Sequence, residues 1–85
     1  MLFDYDPPQQ IAFWMKNTYI PLDIIFVGGD GKIITIAANT TPLSLEQIPS
    51  GGVARGVLEI AGGVCATLGI KVGDRVHHTL FDTAK

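Results

Sequence analysis

Six polar residues stand where this chain is otherwise apolar: Lys16, Asn17, Thr18, Asp23, Arg55 and Glu59. Charges seldom occur inside apolar strand-like runs unless they are paired or functional. As chemistry, Asp23 or Glu59 could act as a general base, and Lys16 or Arg55 could stabilise a developing anion. As structure, Lys16 and Asp23 could form an ion pair, with Asn17 tying down the turn at Tyr19-Ile20-Pro21. As recognition, the same residues could line a ligand cleft. All three readings expect Lys16, Asn17, Asp23 and Glu59 to gather in one polar cluster.

Other reactive types carry weaker signals. His77 and His78 are adjacent in an extended run, so they face opposite ways and cannot chelate one metal together. Cys65 is the only cysteine, which excludes an internal disulfide, and its neighbours Val64, Ala66 and Leu68 read as core. No metal-ligand spacing and no cofactor motif is present. Gly28-Gly29-Asp30-Gly31-Lys32 looks like a phosphate loop, but Ile33 stands where that motif needs Ser or Thr. Asp-Gly between two apolar runs instead predicts a hairpin turn.

The elements that must hold these residues are mostly strands. Alternation predicts strands over Ile11–Asn17 and Leu22–Val27, paired as neighbours around Pro21. Further strands are expected over Lys32–Ala38, Ala54–Ala61 and Arg75–Phe81, with a loop at Pro7-Pro8-Gln9-Gln10. Asn39–Gly52 carries two prolines and a Gly-Gly pair and predicts a long loop of the kind that often serves function. Gly62–Leu68 predicts a short helix stopped by Gly69. The expected core is Phe13, Met15, Leu22, Ile24, Phe26, Ile34, Ile36, Leu58, Ile60, Leu68 and Val76.

The 85 residues suit one domain, and 47% hydrophobic against 16% charged content excludes a disordered chain. Six basic and eight acidic residues are spread along the sequence, giving net −2 and no basic stripe for nucleic acid. No apolar run reaches the roughly 18 residues of a spanning helix.

Several blocks closely resemble a bacterial and archaeal family catalogued as domain of unknown function 192. They are Met1-Leu2-Phe3, Phe13-Trp14-Met15-Lys16-Asn17-Thr18, Ile20-Pro21-Leu22-Asp23-Ile24-Ile25-Phe26, Val57-Leu58-Glu59, Ala61-Gly62, and Gly69-Ile70-Lys71-Val72-Gly73-Asp74-Arg75-Val76. The resemblance implies a mainly β fold, a small sandwich or flattened barrel of five to six strands with one short helix. It carries no established activity. Members usually have another strand ahead of the position matching Met1, often behind an export or lipoprotein signal. The expectation is therefore a domain lacking that segment, periplasmic or exported if a signal precedes it and cytoplasmic otherwise. An uncovered edge would favour homo-oligomers.

Three functions compete, in this order. The first is a module binding a small molecule or peptide between the Lys16, Asn17 and Asp23 cluster and the Asn39–Gly52 loop. The second is a hydrolase-type enzyme with Asp23 or Glu59 as base. The third is an assembly domain pairing through a sheet edge.

Overall fold

The computed structural model describes residues 1–76, so His77, His78 and most of the strand expected over Arg75–Phe81 lie outside the described residues. Within them the elements are β1 (Leu2–Phe13), β2 (Leu22–Val27), β3 (Ile33–Ala37), β4 (Ile48–Ala61) and α1 (Val64–Leu68). The architecture is mainly β with one short helix. The four strands form one antiparallel sheet in the order β1-β4-β2-β3, open rather than closed into a barrel.

The β2–β3 hairpin follows from its sequence. The turn closes through Gly28 N–H to the Lys32 carbonyl at 2.8 Å, and Asp30 Oδ1 accepts the Lys32 N–H at 3.0 Å. Gly31 holds φ +86°, which a side chain would oppose.

Three expectations are corrected. First, the Ile11–Asn17 and Leu22–Val27 segments are not neighbours, because β4 lies between β1 and β2. β1 ends at Phe13, and Met15–Thr18 forms a turn closed by the Thr18 N–H to the Met15 carbonyl at 3.1 Å. Second, Pro7–Gln10 is not a free loop but part of β1. The pairing register shifts between Asp4 and Gln9, and β1 is an edge strand, the setting in which prolines without an N–H are tolerated. Third, the predicted Asn39–Gly52 loop is shorter, since β4 already begins at Ile48. Ser50 makes this possible: its buried hydroxyl accepts the Ile11 N–H at 3.0 Å and donates to the Gly52 carbonyl at 2.6 Å. The Thr35 hydroxyl donates to the Ser50 carbonyl, drawing the start of β4 toward β3.

Two apolar clusters cover the two faces of the sheet. One gathers Met15, Ile24, Phe26, Ala54 and Val57, with Phe13 edge-on to Phe3 and Phe26 at 5.4 and 6.0 Å between ring centres. The other gathers Ile25, Val27, Ile33 and Cys65, with Ile36, Leu58, Ile60, Ile70 and Val76 packed against it. Every expected core residue joins one of these except Leu68, which is 68% exposed. The helix ends too soon for Leu68 to reach the sheet. Gly69 at φ +70° reverses the chain, the Ile70 N–H bonds to the Cys65 carbonyl at 2.9 Å, and Ile70 packs instead. No helix among the described residues is long and apolar enough to cross a membrane.

Candidate functional site

The residues singled out from sequence do not gather. Asp23 is fully buried on the β2 face shared with Ile25 and Val27. Glu59 lies opposite Ile24 in the β2–β4 ladder and therefore on the other face. Its carboxyl is half-buried, and burial raises its pKa. Lys16 and Asn17 are exposed at the centre of the Met15–Thr18 turn, and the Lys16 ammonium stands 5.9 Å from the centre of the Trp14 ring. Thr18 is half-buried, and its carbonyl accepts the Leu43 N–H at 3.0 Å. Arg55 pairs with Asp4 and approaches Asp6 at 3.9 Å. The Lys16–Asp23 ion pair expected from sequence is replaced by something else.

What compensates Asp23 is backbone. Oδ1 accepts the Asn39 N–H at 2.9 Å and the Gly63 N–H at 3.1 Å, while Oδ2 accepts the Cys65 N–H at 2.8 Å. Burial works against the charged form, but these bonds outweigh it and leave the carboxyl below its ordinary pKa. Asp23 thus ties the start of α1 to the segment after β3. Burial, reinforced by the adjacent carboxylate of Asp23, pushes the Cys65 thiol up to about 11.

Above Asn39, the loop 38–47 and the ends of its flanking strands enclose an open depression of about 260 Å³. Met15, Ala37 and Ile48 supply apolar lining; Asn39, Thr40, Thr41, Ser44, Glu46 and Gln47 supply polar groups. Thr40 locks the floor. Its hydroxyl accepts the Leu22 N–H at 3.2 Å and donates to the Leu22 carbonyl at 2.9 Å, with Met15 Sδ 3.2 Å away. Ser44 Oγ accepts the Glu46 N–H at 3.1 Å. Asn39 and Leu43 hold left-handed backbones at φ +47° and +62°. Asn tolerates this readily, but a branched apolar residue does so rarely. The sequence shows this loop but not its individual lining residues. The signal available was turn chemistry around Pro42 and Ser44.

Residues 1–78 match DUF192, described as "Uncharacterized ACR, COG1430". The chain belongs to the DUF192 family. Two solved structures share its fold. A protein of unknown function from Novosphingobium aromaticivorans DSM 12444 is 51% identical, with a TM-score of 0.89 over 92% of this chain. A protein from Sinorhizobium meliloti 1021, titled a "putative transcription regulator", is 44% identical, with a TM-score of 0.85 over 88% of this chain. The DUF192 chain spans 56% and 58% of the lengths of those two proteins. No curated protein matches it.

Proposed function

We propose that this DUF192 domain is a binding module whose ligand, a small molecule or peptide, occupies the depression at the loop joining β3 to β4. One observation carries the reading: a concave site of about 260 Å³ brings Asn39, Thr40, Thr41, Ser44, Glu46 and Gln47 together beside a smaller apolar patch. Concavity with convergent polar groups is what orients a bound ligand. Lys16, Asn17 and Thr18 belong to this reading as the adjoining turn, held to the loop by the Thr18–Leu43 bond. Asp23 supports the site from behind through Asn39. Arg55, engaged by Asp4, and Glu59, on the opposite face from Asp23, take no part in it.

The competing readings have less support. As a general base, Asp23 would need to reach a substrate, and it is fully buried with both oxygens engaged by backbone donors. Edge-to-edge assembly would use β1 or β3, but Pro7 and Pro8 remove donors from the middle of β1. The description of the Sinorhizobium protein raises a regulatory role, yet net charge −2 with dispersed basic residues disfavours direct DNA contact.

Differential scanning fluorimetry against metabolites and peptides tests the proposal, because a ligand for the native state raises Tm. A stabilising ligand should lose its effect on an Ala38→Trp variant, which fills the depression from an exposed position. A ligand that stabilises both proteins equally places the site elsewhere. A panel without any stabilising compound overturns the proposal.

A further inference from the structure

We infer, resting on the binding reading above, that the occupant is an extended peptide or protein segment. It sets one basic side chain into the depression and apolar side chains onto the surrounding loops.

The charge of the depression points first to a cation. Among the residues lining it, Glu46 is the only charged one, and the remaining polar groups are neutral amides and hydroxyls. An anionic guest would meet a carboxylate in the lining, while the one nearby cation of the proposed site, Lys16, stands outside the lining on the adjoining turn. A basic guest meets a partner for a charge-assisted hydrogen bond.

Size and polarity then narrow the cation to a side chain. The volume of about 260 Å³ falls just below the roughly 300–1,000 Å³ usual for small-molecule and cofactor sites. A lysine or arginine has an apolar stem and a charged head, and it lays the stem along apolar surface while the head stays polar. Ala37 and Ile48, both half-buried over the buried Met15, offer such a stem apolar surface, and the exposed Glu46 offers the head a partner.

The surroundings extend the ligand beyond one side chain. Trp14, Tyr19, Ile20, Leu43 and Leu45 are 51%, 80%, 59%, 50% and 67% exposed. They come from two loops that the Leu43 N–H to Thr18 carbonyl bond holds together at 3.0 Å. Leu43 and Leu45 alternate with the lining residues Ser44 and Glu46, and Trp14 precedes Met15. Tryptophan and tyrosine are the side chains most enriched at the energetic centres of protein interfaces. A free metabolite in the depression would leave these exposed side chains of the same two loops in water; a peptide running on from the depression would cover them.

Trp14 is the only tryptophan, so its emission reports occupancy. The probe is an acetylated, amidated hexapeptide library without tryptophan, with leucine, isoleucine or phenylalanine flanking a central arginine. Matched libraries carry norleucine or glutamate at the centre, and agmatine represents the basic head alone. The arginine library should raise Tm and shift Trp14 emission to the blue. Glu46→Gln should weaken it about tenfold, as should Leu45→Ser combined with Tyr19→Ser, all at exposed positions. Norleucine or glutamate peptides binding as well as arginine peptides would overturn the inference. So would agmatine or a metabolite binding as tightly as the peptides and indifferent to Leu45→Ser, which leaves the binding-module reading standing. If peptides, agmatine and metabolites all leave Tm and emission unmoved, the inference and the reading beneath it fall together.

Discussion

Asp23 shows how a buried charge can be held without a counter-ion. Its withdrawal from water was legible in the sequence, since Leu22 and Ile24 flank it in a strand. Its partners were not, because backbone N–H groups have no letter of their own. The sequence therefore suggested Lys16, the nearest opposite charge, while the fold uses Asn39, Gly63 and Cys65. Asp23→Asn would turn an amide N–H₂ toward those donors, and hydrogen bonds to charged groups are worth about 1.5–3 kcal/mol each. Urea denaturation should show a loss of about 3 kcal/mol or more. A carboxyl with a lowered pKa in the folded state stabilises the fold above its unfolded pKa of about 3.9. That contribution should disappear as pH falls from there through the folded value, so the wild type should lose stability more steeply than Asp23→Asn over that acid window. Cys65 offers a second readout. With its thiol raised to about 11 and its side chain buried, it should react slowly with a disulfide reagent at pH 8. Asp23→Asn should accelerate that reaction by freeing the start of α1.

At the scale of elements, local patterns are legible in the sequence and distant pairings are not. Alternation and Asp-Gly identified the β2–β3 hairpin, and Gly69 identified the end of α1. The β1 strand was hidden by Pro7 and Pro8, and the start of β4 by Pro49, Gly51 and Gly52. Both are compensated by partners that lie far away in sequence, such as Ser50 for Ile11. The candidate site was legible as a loop for the same local reason, but not its lining, which depends on where Met15 and Ile48 meet. Gly62 is a sharper case of context. A Cβ there would lie 2.6 Å from Asn39 Oδ1 and 3.0 Å from Pro21 Cβ. Gly62→Ala should therefore turn the Asn39 side chain aside and press against Pro21, whose backbone carbonyl lies 3.1 Å from the added Cβ, and cost about 1–3 kcal/mol, measurable by thermal denaturation. The same change at Gly63 meets nothing within 4 Å and acts only through its φ of +91°.

For the molecule as a whole, the order β1-β4-β2-β3 sets a sequence of events in time. Of the described strands, the earliest in sequence has its sheet partner in the latest, with Leu2 paired to Leu58 and Phe13 to Ile48. During synthesis β1 must wait for β4, while β2 and β3 can already close their hairpin through Gly28-Gly29-Asp30-Gly31. Non-local pairing of this kind slows folding, because the entropy of closing a long loop is lost before contacts reward it. Stopped-flow kinetics should show the division of labour. Ile25→Val in the hairpin should slow refolding, while Phe3→Leu in β1 should mainly speed unfolding. The newborn chain is thus most exposed to aggregation in the interval before β4 is complete, with β1 as the strand that a helper protein would have most reason to hold.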